Sequence, residues 1–489
     1  MLLVDITIVQ VALPTVQREL SGSFSDLEWV ISAYGLALSA LILTSGSLAD
    51  RFGRQRLFVA GIAVFTVLSL VCGLATSSAM LIAGRAAQGV GGAAMFATSL
   101  ALIGQEYRGH QRATALAVWG ATVGGAVSMG PLIGGVLTGS LGWRWIFFIN
   151  IPIGIATLLL SVRRIPNRND PEARHVDVAG LVSFSLALFL LVFALIRGAV
   201  DGWSSAPIVG SFAGSLALFC AFIVAEVRQP RPMFDLTLFR KPAFTGVSVA
   251  TFAIAASMFA MVVYITLYLQ NVLGLSPLQG GIRLLPITAF AFIIPLLSRR
   301  LTEGIAPGAV LGTALLLVAV GLFQMHGQSA ASSWTSLLPG MIVAGIGIGL
   351  ANPAIARVAL GVVPPQRSGM ASGISNTFRV AGLATGVALL GAIFQQSITA
   401  ALTSSAVRTP ASLASVVASA GIRAPAIVSH PAVVSTARHA FLVGFNDIVV
   451  VSALVALGGS ISAFVLIRGR DVARPALTKA GAAEAAVGG

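Results

Sequence analysis

Residues able to do charge chemistry are scarce in this chain, and several of them sit where charge is costly. The first fourteen residues, MLLVDITIVQVALP, set Asp5 and Gln10 into an otherwise apolar run. LIAGRAAQGVGGA places Arg85 inside another, with Gln88 three residues on and therefore on the same helix face. An ionisable side chain in such surroundings marks a functional site by default, because its burial is expensive unless it is used. The chemistry open to this set is the binding and release of protons and the holding of a polar or charged molecule. Arg85 also has a second reading, in which it lies near the edge of the apolar layer and snorkels its head towards water.

Two further stretches combine unusual residue types. GSLADRFGRQR (46–56) joins two apolar runs through glycines, Gly46 and Gly53, with Asp50 placed to accept free backbone N–H groups or to pair with Arg54. A turn alone needs the glycines but not a carboxylate among Arg51, Arg54 and Arg56, although topology alone accounts for the arginines. GATVGGAVSMGPLIGGVL (120–137) carries Gly120/Gly124 and Gly130/Gly134, spaced for close helix contact, with Pro131 removing a backbone donor and bending the helix.

The elements that must position these residues follow from composition. Of 489 residues, 56% are hydrophobic and 9% charged, with mean hydropathy +0.93. A soluble domain carries about 25% charged residues. Continuous apolar runs of membrane-crossing length, without two-residue alternation, specify helices, since only helices or closed barrels satisfy their backbone in lipid. The spacing predicts fourteen spans, at 1–16, 29–48, 57–76, 80–103, 113–138, 146–162, 178–197, 207–225, 244–269, 282–298, 306–324, 334–356, 369–394 and 443–467. Arginines cluster in alternate loops, among them Arg51, Arg54 and Arg56; Arg163, Arg164, Arg168 and Arg174; and Arg468, Arg470 and Arg474. The net charge of +14 is therefore a topology signal, not a nucleic-acid footprint, and it puts both termini in the cytoplasm of a plasma-membrane protein.

GSLADRFGRQR, RAAQGVGG and GPLIGG together resemble the signature motifs of proton-coupled exporters of the major facilitator superfamily. VDITIVQVALP, WRWIFFINIPIG (143–154) and SGISNTFRVAG are similar to stretches of its fourteen-span branch, drug:proton antiporter family 2 (EmrB/QacA-like). The resemblance implies an all-α polytopic membrane protein of the major facilitator fold, two six-helix bundles plus two inserted helices. On that plan residues 1–163 form the N-terminal bundle, 164–243 the insertion, and 244–470 the C-terminal bundle with a long outer loop at 398–440; 471–489 is a disordered tail. It also implies a monomer in the lipid bilayer that exports small molecules by alternating access, with protons as the coupling ion and no cofactor. Carried over, Asp5 is the protonatable carboxylate and Arg85 its coupling partner. Gly46, Asp50, Arg51, Gly53 and Arg54 belong to a cytoplasmic gate, and Gly124, Gly130, Pro131, Gly134 and Gly135 to the bent packing helix. Gln10, Gln88, Asn376 and Arg379 are polar residues available to a cargo; Gln10 stands where the family has asparagine.

Of the sixteen Asp and Glu residues, the spans assigned above enclose only Asp5 and Asp447, the latter near an outer helix end. So few acids suit lipophilic neutral or singly charged cargo. All five histidines lie in loops or at span edges, so no metal site and no enzyme is expected. A passive facilitator shares the fold but has no need of Asp5 and Arg85, whereas an exporter of an endogenous metabolite or lipid keeps the antiporter and changes only its cargo. From Asp5 to Val16 is about 16 Å of helix, half of a ~30 Å core, which puts Asp5 at the midplane and predicts further apolar residues upstream of it.

Overall fold

The computed structural model describes residues 1–107, 109–165, 177–229, 234–302, 304–363, 368–405, 413–414, 416–418 and 431–468, and among them every regular element is helical. Only the backbone of Asp50 and Gly124 is described, and the tail from 469 and most of 406–430 lie outside the described set.

The first part of the chain forms α1 (Leu2–Leu20), α2 (Phe24–Phe52), α3 (Arg54–Gly73), α4 (Ser78–Glu106), α5 (Gly109–Ser140), and the short α6 (Trp145–Phe148) running into α7 (Asn150–Arg164). Helix starts are written locally. Ser23 and Asp26 make a reciprocal capping box for α2, and the Ser77 side chain accepts from the Met80 N–H at α4. Gly53, at φ +101°, separates α2 from α3 in a single residue. Next come α8 (Val178–Asp201) and α9 (Ala206–Arg228).

The remainder holds α10 (Pro242–Ile254) and α11 (Ala260–Leu267), joined through a π-helical turn at Ala255–Phe259 and followed by another at Tyr268–Val272. Then follow α12 (Pro277–Arg283), α13 (Leu285–Leu301), α14 (Pro307–Gln324), α15 (Leu338–Gly361), α16 (Ser368–Ser404) and α17 (Pro431–Leu466).

Ten helical segments among the described residues are long and apolar enough to cross a bilayer, or eleven if the bent α12–α13 pair is one span. α1, α4 and glycine-rich α5 fall outside that set, and α1 and α4 are the helices that carry Asp5, Gln10, Arg85 and Gln88. The molecule has apolar residues on both its inside and its outside. Val67, Leu216, Val227, Leu296 and Ile461 are each more than half exposed. On a membrane helix these face lipid and need no other partner. Only 17% of the α9 segment is buried in protein against 83% of Pro242–Val272, so α9 is peripheral and α10–α11 central.

Helix pairing repeats along the chain. α2 packs on α4, and α3 on both α4 and α7; later, α13 packs on α15, and α14 on both α15 and α17. α1 lies on α5 as α10 lies on α16. The two sets meet where α2 packs on α16 and where α5 packs on α12 and α13, while α8 pairs with α9 and leans on α2 and α16.

The outer loop expected at 398–440 is shorter than its boundaries. α16 runs to Ser404 and α17 starts at Pro431, giving helices of 37 and 36 residues. At ~1.5 Å per residue these exceed a ~30 Å core by about 25 Å. Alanine and serine in that region read as loop but also suit a helix that has left the lipid.

Candidate functional site

Four helices and the start of a fifth converge on one carboxylate. Asp5 of α1 is 1% exposed and Arg85 of α4 is 1% exposed. Arg85 Nη1 donates to Asp5 Oδ2 in a buried ion pair, and to Gln88 Oε1 at 2.7 Å. Its Nε donates to the Val30 carbonyl of α2 at 3.3 Å, and the guanidinium lies 4.1 Å from the centroid of the Tyr34 ring. Asp5 Oδ1 accepts from Asn150 Nδ2, at the start of α7, at 3.2 Å, and more weakly from Gln88 Nε2 at 3.5 Å. Ser69 of α3 completes the set: its Oγ accepts from Gln88 Nε2 at 2.6 Å and from Asn150 Nδ2 at 3.2 Å.

Every member of this cluster is nearly dry: Gln88 and Ser69 are fully buried, and Asn150 is 3% exposed. Desolvating two charges is tolerable only where the pair is close and its remaining donors and acceptors are filled. Here the guanidinium has the carboxylate, an amide oxygen, a backbone carbonyl and an aromatic face. The carboxylate has the guanidinium and two amide N–H groups. The arrangement can hold a charge pair inside the membrane, and one proton added to Asp5 would dissolve it.

Local sequence explains the convergence. Arg85 and Gln88 share a face of α4 by their spacing. The glycines that follow let α4 approach α2: a Cβ on Gly89 would lie 2.6 Å from the Tyr34 carbonyl. α5 plays the same part for α1. A Cβ on Gly130 would collide with Thr7, and one on Gly134 would lie 2.8 Å from the Ile8 carbonyl. The next glycine faces the other half of the molecule, where a Cβ on Gly135 would come 2.8 Å from the Pro277 carbonyl of α12. Pro131, inside α5, brings its carbonyl against Gly281 of α12.

The other expected residues lie apart. Gln10 is buried on α1 but outside this network, and Gln88 has its amide committed within it. Asn376 and Arg379 are half-buried on α16, and Arg379 Nε has no hydrogen-bond partner among the described residues. In the 46–56 stretch only Gly53 makes the turn, and Gly46, expected to share it, lies inside α2; Gly46 and Arg54 are half-buried and Gly53 buried, while Arg51 is exposed with its guanidinium 5.2 Å from the Phe52 ring. Gln55 ties this turn to the end of α7, its Nε2 donating to the Ser161 carbonyl at 3.3 Å.

Several residues escaped the sequence reading. Tyr34, Ser69 and Asn150 have common residue types, and only their neighbours make them part of the cluster. Asn150 does lie within the WRWIFFINIPIG stretch, which was a usable signal. The same stretch supplies Trp143 and Arg144, whose Nε1 and Nη1 donate to Glu19 at 2.9 and 2.8 Å. Asp447 is exposed, whereas two acids left outside the assigned spans, Glu28 and Glu226, are each 3% exposed. α2 begins at Phe24, earlier than its apolar run, because the Ser23–Asp26 cap starts it there; Glu28 is thereby drawn into the helix.

Residues 1–387 match the Major Facilitator Superfamily. The chain is 34% identical over 404 residues to the multidrug resistance protein Stp of Mycobacterium tuberculosis, covering 82% of this chain and 75% of that protein. It is 31% identical over 399 residues to the tetracenomycin C resistance and export protein of Streptomyces glaucescens, covering 81% and 74%. The crystal structure of a bacterial homologue of the human lysosomal transporter Spinster, inward-facing and occupied, matches over 97% of this chain and 96% of that one. The TM-score is 0.62 at 18% identity, a likeness of fold alone.

Proposed function

The chain belongs to the major facilitator superfamily, and from that premise we propose that it is a proton-coupled antiporter exporting lipophilic or singly charged small molecules by alternating access. It is a multi-pass membrane transporter, not an enzyme. The observation that carries the coupling is the dry Asp5–Arg85 pair, which a passive conduit has no reason to maintain against its desolvation cost.

Asp5 would take a proton from outside when the site opens outward, which neutralises the carboxylate and releases its hold on Arg85. The cation keeps the Val30 carbonyl, Gln88 and the Tyr34 ring as partners, so it need not leave the protein as the helices rearrange. Opening inward would hydrate the site and return the proton to the cytoplasm while the cargo leaves on the opposite stroke. Protons are the coupling ion, with no other cofactor. Gln10, Asn376 and Arg379 are offered to the cargo, and Gly46, Asp50, Arg51, Gly53 and Arg54 to the inner gate.

The repeated helix pairing supports two six-helix bundles, 1–163 and 244–470, with 164–243 inserted between them, and thus the fourteen-span branch of drug:proton antiporters. The peripheral place of α9 is in keeping with an insertion on the outside of the bundles. Both termini would lie in the cytoplasm, and the transporter works as a monomer. One relative is named for multidrug resistance and another for resistance to and export of a single compound, so a dedicated cargo is the second reading.

The test is uptake of a lipophilic fluorescent dye into everted vesicles with an imposed pH gradient, beside analysis of compounds released by cells with and without the gene. Dye accumulation that collapses with an uncoupler is expected. Equilibration unaffected by the uncoupler would make the protein a facilitator.

A further inference from the structure

Glu28 has no part in the site described above, yet it is the more isolated acid. It lies on α2, 3% exposed, at the place where α2 packs on α16 and approaches α11. Its Oε1 has no hydrogen-bond partner among the described residues. The carboxyl sits directly on Gly391 of α16, where an added Cβ would collide with it and would come 2.8 Å from the Tyr264 hydroxyl of α11. Aromatic rings close the surroundings: Phe24 against Phe394 at 5.9 Å, Tyr264 against Phe394 at 5.6 Å, and Phe394 against Phe441 at 5.0 Å.

The charged and titratable groups around it do not compensate an anion. Tyr264 of α11 donates its hydroxyl hydrogen to the Val387 carbonyl at 2.7 Å, so it can offer the carboxyl lone pairs only. From α16 the neighbours are Gly391 and Phe394, and from α8 the aromatic rings of Phe189 and Phe193 pack on the adjacent Trp29. Arg85 of α4 reaches α2 at Val30, about 200° around the helix from Glu28, and is engaged by Asp5. Among the described residues no cation pairs with Glu28. An unpaired carboxylate in such a place is uncompensated, whereas a protonated carboxyl carries a donor that lone-pair neighbours can accept.

We infer that Glu28 is a second proton-accepting acid of the transport cycle, one whose protonation is required for the seam between α2, α11 and α16 to close. This rests on the antiporter reading for its place in a cycle, but the closure itself is a property of the seam. When the seam parts, Glu28 meets water and ionises; before the seam can shut, a proton must return to it. Closure of this side is thereby conditional on proton uptake, separately from the loading of Asp5. Glu28 is a positioning residue for the two halves, not a contact for the cargo.

The test uses the full-length protein in lipid nanodiscs, without cargo or gradient. Spin labels are placed at Arg18→Cys and Thr403→Cys, both exposed near this end, with exposed Cys220 changed to Ser and buried Cys72 left in place. Distances between the labels are measured from acid to alkaline pH. With Glu28 intact the long-distance population should grow at least tenfold relative to the short one as pH rises. Glu28→Gln, which cannot ionise, should remain in the short-distance state throughout, and Glu28→Asp should restore the response. The response should persist in Asp5→Asn. A Glu28→Gln protein that responds like its parent, a parent that does not respond, or a response lost only in Asp5→Asn each overturns the proposal. The antiporter reading stands or falls separately, on uphill dye transport by the unlabelled protein.

Discussion

Replacing Asp5 by Asn removes one charge and almost no volume, and its consequences can be worked from the geometry. The pair it breaks is buried, with side-chain exposures of 0% for Asp5 and 2% for Arg85. Removing one member of such a pair costs about 3–5 kcal/mol. The low end applies here, because the guanidinium keeps Gln88 Oε1 at 2.7 Å and the Val30 carbonyl at 3.3 Å. The protein should therefore fold and insert, with a measurably lower thermal midpoint in detergent. Its transport should change in kind. A proton crossing 100 mV and one pH unit delivers about 2.3 plus 1.4 kcal/mol. At ~1.4 kcal/mol per tenfold, that supports a gradient of about 500-fold for a neutral cargo exchanged against one proton. In proteoliposomes with both gradients imposed, the wild-type protein should concentrate a lipophilic fluorescent dye towards that limit, and Asp5→Asn should reach no more than equilibration. Uphill accumulation by a stable, inserted Asp5→Asn protein would refute the coupling argument.

Other substitutions separate the parts of the site. Arg85→Lys keeps the charge but loses the planar fork that engages Asp5, Gln88 and Val30 together; proton-driven uptake should fall at least tenfold in the same assay. Gly135→Val puts a side chain where a Cβ alone would lie 2.8 Å from the Pro277 carbonyl. Overpacking of about 1–3 kcal/mol should slow turnover, with the seam between α5 and α12 more open to a water-soluble cysteine reagent at a reporter position. Glu19→Gln is the contrasting case: with its side chain 46% exposed and that of Arg144 38% exposed, the pair is screened by water. Transport and thermal midpoint should remain within error of wild type.

How much of this was legible beforehand differs by level. Apolar run length located the helices because a backbone in lipid must bond to itself, so α3, α8 and α14 fall close to where the runs place them. Helix ends were less legible. Capping at Ser23 extended α2 beyond its apolar stretch, and α16 and α17 continue past the lipid thickness on alanine and serine. Asp5, Arg85 and Gln88 stood out singly because charge and amide groups are conspicuous in an apolar run. Ser69 and Tyr34 did not, because nothing in their own neighbourhoods distinguishes them from packing residues; Asn150 was marked only by the WRWIFFINIPIG stretch around it.

The sequence by itself determined that this is a helical membrane protein, which helices carry the polar residues, and which glycine rows permit close contact. These are properties of one helix and its solvent, written in composition and period. Only the tertiary structure decided that Asp5 and Arg85 pair, that Gln88, Ser69 and Asn150 fill their remaining bonds, and that Glu28 Oε1 has no partner among the described residues at the α2–α16 seam. The fate of a buried charge depends on which groups other helices bring within hydrogen-bond reach, across gaps of up to 145 residues of chain.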